Sequence, residues 1–142
     1  MSKSDTFEND LLKLIFQAAT IATIARDDAG GLANLYVSLH TSDPAEAEPQ
    51  TTGEIAYTNY ARVPVARTAG GWTVTGNSVS PVADIVFAAY GGGAGGTVTH
   101  VGVGTLASGA GKLLYSGTLT PNVLVGVGVT PRVLTTSTIT EG

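Results

Sequence analysis

The sequence predicts a mainly β protein: a single β-sandwich, jelly-roll-like domain of about eight strands preceded by an N-terminal α-helix. Three observations predict it. Apolar residues at helical spacing are confined to the start of the chain. After the Gly30-Gly31 pair the apolar pattern changes to a period of two. Gly, Pro, Asn and Ser then interrupt the short apolar runs roughly every 8–12 residues, the rhythm of hairpin-connected strands.

The helix comes first. Ser4 or Asp5 can cap it, and Asp5 followed by Glu8 has the form of a capping box. Phe7, Leu11, Leu14, Ile15 and Ala18 form one stripe, with Glu8, Asp10, Lys13 and Gln17 opposite. That stripe either covers the open end of the sandwich or docks a neighbouring subunit. The small and β-branched residues from Ala18 to Ala25 weaken the helix, and Asp27-Asp28-Ala29-Gly30-Gly31 stops it.

Strands follow. Leu35, Val37 and Leu39 alternate with Tyr36, Ser38 and His40, which predicts a half-buried strand. The segment from Thr41 to about Asn59 is a long polar loop, a length uncommon inside a compact domain and often functional. Ala61–Arg67 is a strand that Pro64 confines to an edge or a bulge. Trp72–Thr75, Ser78–Ser80, Ile85–Phe87 and Val98–Gly104 continue the series, and Gly102 and Gly104 predict close approach of another backbone. Lys112–Leu119, Val123–Val129 and Val133–Ile139 complete it. Residues 1–30 are thus expected as a helical arm and 31–142 as the sandwich, in one structural domain overall.

Charged residues are 13% of the chain, against roughly 25% in ordinary soluble domains, so partners are expected to cover part of the surface. Residues 1–60 carry nine acids against Lys3, Lys13 and Arg26; the remainder carries Asp84 and Glu141 against Arg62, Arg67, Lys112 and Arg132. The front is near −6 and the back near +2, a polarity that suits contacts between copies. No basic cluster is present to neutralise phosphates, so nucleic acid is not an expected partner. Leu11–Ala25 is interrupted by Lys13 and Gln17 and is too short to span a bilayer, and neither a signal peptide nor a membrane segment is expected. With no Cys there is no disulfide, thiolate ligand or thiol nucleophile.

The candidate chemistry is thin. Gly91-Gly92-Gly93-Ala94-Gly95-Gly96 fits the dinucleotide fingerprint literally, but a strand rather than a helix follows it. Gly109-Ala110-Gly111-Lys112 is shaped like a phosphate-binding loop, yet Leu106 and Leu113 stand where Gly and Ser or Thr are required. His40 and His100 are isolated, with no second ligand at metal spacing. Asp43, Glu46 and Glu48 supply carboxylates without the register of a calcium loop. No catalytic residue, cofactor or metal is therefore assigned, and the protein is expected not to be an enzyme. Trp72 and the tyrosines leave open a carbohydrate-stacking platform, although Trp72 is equally a core residue. Tyr57, Tyr60 and Arg62 close the long loop, either as partner anchors or as packing for the loop. The candidate partner-interface residues are Phe7, Leu11, Ile15, Asp43, Glu46, Glu48, Tyr57, Tyr60 and Arg62.

The stretch Ser2–Gln17, then Leu35-Tyr36-Val37-Ser38-Leu39-His40-Thr41 with Asp43-Pro44, resembles a family of small tailed-phage proteins often labelled tail-fibre-like. So do Tyr60-Ala61-Arg62-Val63, Gly71-Trp72-Thr73-Val74, Val98–Gly104 and Gly109–Tyr115, which together span nearly the whole chain. A helical arm before a jelly-roll-like domain is also similar in architecture to capsid cement proteins of tailed phages. These likenesses imply a non-enzymatic virion protein assembled in the host cytoplasm. Capsid decoration is the main expectation, with the major capsid protein as partner and a homo-oligomeric state. A tail-fibre, tail-tip or adaptor role with tail proteins as partners is the alternative.

Overall fold

The computed structural model describes residues 3–21, 31–44 and 49–142. The expected helix stop at Asp27-Asp28-Ala29-Gly30 and the loop acids Glu46 and Glu48 lie outside the described residues. The chain is mainly β, with antiparallel sheets and one N-terminal helix, as the β-sandwich class requires. Helix α1 is Asp5–Gln17. The strands are β1 Asn34–His40, β2 Val63–Ala66, β3 Trp72–Thr75, β4 Ser78–Pro81, β5 Ile85–Val86, β6 Gly96–Gly104, β7 Leu113–Val125, β8 Arg132–Val133 and β9 Ile139–Thr140.

Two compact units share the chain. The first draws on residues 1–34, 65–84 and 134–142, and the second on 35–64 and 85–133. The backbone therefore passes between them four times, after residues 34, 64, 84 and 133.

In the first unit, α1 packs on the sheet β3-β4-β9. Ser4 is the N-cap, its hydroxyl accepting from the Phe7 amide, and Ala18 closes the helix in the left-handed region at φ 55°. The buried line is Glu8, Leu12 and Phe16, one position round from the stripe that spacing alone selects. Phe16 meets Trp72 edge to face, ring centroids 4.8 Å apart, and that contact sets the helix rotation. Glu8 thus goes inward, while Phe7 is exposed and Leu11 and Ile15 are half-buried. No basic residue occupies the last helical turn. Arg67 supplies the cation instead, donating from Nε to the Ile15 carbonyl at 2.6 Å and from Nη2 to that of Leu14 at 2.7 Å. Lys3 pairs with Glu141 at 3.1 Å, beside the β4–β9 pairing of Val79 with Ile139.

The second unit is built on β1, which is followed in the sheet by β6 and then β7; Val63 and Pro64, the start of β2, belong to this unit as well. Pro64 lies in β2, at the sheet edge, where its missing donor costs no ladder bond. β1 is not half-buried as its alternation predicts: from Val37 to His40 every residue is buried, including Ser38 and His40. Two further predictions are corrected. The strands expected at Lys112–Leu119 and Val123–Val129 are one strand, β7, whose pairing with β6 lapses over residues 119–122 opposite Thr99. The strand expected at Val133–Ile139 is two short ones, β8 pairing with β5 and β9 pairing with β4.

Candidate functional site

The most elaborate polar arrangement in the second unit is built where β1 gives way to the long loop. After His40 the chain leaves, and it returns antiparallel to the strand end. The Thr41 amide donates to Gly53 O at 2.8 Å, the Ile55 amide donates to Leu39 O at 2.9 Å, and Glu54 bridges to His40. Residues 41–53 are thus an excursion closed at its neck.

Glu54 and Arg62 lock that neck. The guanidinium meets the carboxylate two-pronged, Nε to Oε1 at 2.8 Å and Nη2 to Oε2 at 2.7 Å. Its other donors reach Leu106 O at 2.9 Å and Gly109 O at 2.8 Å. Arg62 is 5% exposed, and such burial is tolerable only because each prong finds an acceptor. The Glu54 hydrogen bonds hold the guanidinium even more firmly protonated than usual. Tyr60 adds a third contact to the carboxylate, its hydroxyl donating to Glu54 Oε1 at 2.9 Å while accepting from the Leu39 amide at 3.1 Å. Burial keeps that hydroxyl from ionising.

The two phosphate-like motifs are receptors for this same loop. Gln50 is fully buried, its amide donating to Ala110 O at 2.8 Å and its Oε1 accepting from the Leu106 amide at 3.0 Å. A Cβ on Gly104 or Gly111 would overlap the Gln50 side chain, so these glycines make room for a side chain, not for a backbone. In the other motif Gly91 and Gly92 exchange backbone bonds with Thr58, at 3.1 and 2.8 Å, and the Gly95 amide donates to Ala56 O at 3.2 Å. Tyr57 lies beneath, its hydroxyl donating to Ala88 O at 2.8 Å and its ring 5.3 Å from Tyr60 and 5.7 Å from Tyr90. The Tyr60 ring stacks parallel to Phe87.

His40 and His100, isolated in sequence, are cross-strand neighbours in the β1–β6 register. They do not join as a pair. His40 Nδ1 donates to Thr52 O at 2.8 Å, which leaves Nε2 to accept from Ser38 Oγ at 2.9 Å. This is the bond between a serine and its general base, but both side chains are fully buried, so a substrate has no path to either. Burial lowers the His40 pKa, keeping the ring neutral. His100 bonds instead with Thr99 Oγ1 at 2.8 Å.

Of the nine candidate residues, Glu46 and Glu48 lie outside the described residues, and the other seven fall into distinct places. Tyr57, Tyr60 and Arg62 come together, with Tyr57 and Arg62 buried in service of the loop itself. Asp43 is exposed at the start of the excursion. Phe7, Leu11 and Ile15 belong to the helix in the first unit. Trp72 is 2% exposed and offers no face to a sugar ring. Glu54, Gln50 and Ser38 are not singled out by motif or spacing; only the glycines at 104 and 111 hint at what they must accommodate. Among the described residues no group of three or more His, Asp or Glu is placed to hold a metal ion, and no helix is long and apolar enough to cross a membrane.

The buried polar groups of this β scaffold fasten its long loop in place. The chain belongs to the family of the podophage GP4 fiber I protein gp80, whose model matches residues 2–140. The tail-fibre-like resemblance read from the sequence agrees with this, and a structural role in a phage particle follows from it. No curated protein matches the chain.

Proposed function

We propose that the protein is a non-enzymatic component of a phage fibre or of the joint by which a fibre meets the tail. The observation that carries this is the match of a phage fibre family over residues 2–140. The expectation of capsid decoration drew on the helical arm, the long loop, the sparse charge and an architectural likeness, features that unrelated functions share; the family match favours the fibre alternative over it. The locked loop suits such work, because a load-bearing contact needs a fixed loop rather than a mobile one. In this reading the partners are other tail proteins. Contact residues are Phe7, Leu11 and Ile15 on the outward flank of α1 and Asp43 at the loop mouth, with Tyr57, Tyr60 and Arg62 holding the loop in shape. Immunogold labelling of intact particles tests it. Gold at the tail or its fibres is expected, and gold distributed over the head faces refutes it.

A further inference from the structure

We propose that β7 is a homodimerisation edge, pairing antiparallel with β7 of a second copy about a two-fold axis at Ser116. β7 is the terminal strand of its sheet, the longest in the chain at thirteen residues, and only Val125 in it is buried. A long edge strand is ordinarily protected by charge, because its outer backbone groups template another strand. Here no charged side chain occurs from Leu113 to Pro131. The break in pairing over residues 119–122, together with Pro121, confines the usable edge to Leu113–Thr118 and the residue beyond.

The occupant follows from the sequence of that edge. Centred on Ser116, the antiparallel register sets Ser116 against itself, Leu114 against Thr118, and Leu113 against Leu119. It also sets Tyr115 against Gly117, twice by symmetry. Gly117 is exposed with open space where a Cβ would stand, so an aromatic ring from the facing strand can lie across it. No like charges meet at any position. A self-complementary edge gives the isologous contact on which two-fold dimers are built. This inference does not depend on where in the particle the protein sits.

The chain has no Cys, so one introduced thiol reports cleanly. Directly opposed residues in an antiparallel pair have Cα atoms about 4.5–5.5 Å apart, inside the roughly 4.4–6.8 Å that a disulfide spans. S116C is therefore expected to form a disulfide-linked dimer under mild oxidation. T118C is expected not to, since its two copies would be about 13 Å apart along the strands. By sedimentation equilibrium the unmodified protein is expected at twice its 14.3 kDa. S116K, which opposes two like charges on an exposed position, is expected at once that mass with an unchanged circular dichroism spectrum. A monomeric unmodified protein, an S116K variant that stays dimeric, or T118C cross-linking as readily as S116C overturns the proposal.

Discussion

Arg62→Ala is expected to open the neck of the loop without dismantling the sheet. The substitution removes four hydrogen bonds at 2.7–2.9 Å. It strands a carboxylate whose side chain is 14% exposed and leaves the Leu106 and Gly109 carbonyls without that donor. Removing one partner of a buried ion pair costs about 3–5 kcal/mol. Glu54 keeps the Tyr60 hydroxyl and some access to water, which places the loss near the lower figure, about 3 kcal/mol. For a chain of this size that corresponds to a fall in Tm of roughly 6–12 °C. Urea unfolding followed by circular dichroism gives the total, and amide hydrogen exchange locates it. The Ile55 and Leu106 amides, which bond Leu39 O and Gln50 Oε1, are expected to exchange faster, while β3 and β4 amides hold their rates. Replacing both partners, as Glu54→Gln with Arg62→Met, is expected to cost less than the two single changes summed. An Arg62→Ala variant within about 0.5 kcal/mol of the unmodified protein, with Ile55 and Leu106 exchange unchanged, would refute the lock.

Two further outcomes follow from the same unit. Burial depresses the His40 pKa below its ordinary 6.5, so the unfolded chain binds a proton that the folded one refuses. Stability is then full above pH 6.5 and declines as the pH falls below it; urea midpoints between pH 7.5 and 5.5 should show the decline, and His40→Gln should flatten it. Gly104→Ala drives a methyl group into the Gln50 side chain and is expected to cost about 1–3 kcal/mol. In a Gln50→Ala background the same change should cost markedly less, and equal costs in both backgrounds would show that Gln50 is not what Gly104 accommodates.

Local periodicity carried most of the element list. Period-two runs at Leu35–His40, Trp72–Thr75 and Val98–Gly104 are strands, and Ser4 caps the helix as its chemistry requires. What local pattern does not contain is the identity of a packing partner. The rotation of α1 is decided by Trp72, more than fifty residues away, and so the stripe Phe7, Leu11, Ile15 misses the buried line by one position. Thr120-Pro121-Asn122 has turn composition, but it is a lapse in pairing within a continuous strand. The loop lock was half visible. Arg62 and the tyrosines marked the place, whereas Glu54 looked like one acid among nine. Gln50 carried no signal at all, because a side-chain amide bonding backbone groups needs no motif. The glycine runs were legible as anomalies, and their use could be read only once the loop they receive was in place.

The four passages of the backbone between the two units have a genetic consequence. Neither unit is encoded by one continuous stretch of the gene. A crossover that exchanges a single block at residue 84 would transplant α1, β3 and β4 while leaving β9 from the other parent. Hybrids of that kind mismatch a sheet internally and should be poorly viable. Inheritance is then expected to proceed by replacement of the whole gene or by single substitutions. Block exchange is expected to be tolerated only within a stretch whose ends both lie in one unit, such as residues 41–53, and there only if Gln50 travels with the glycines that receive it.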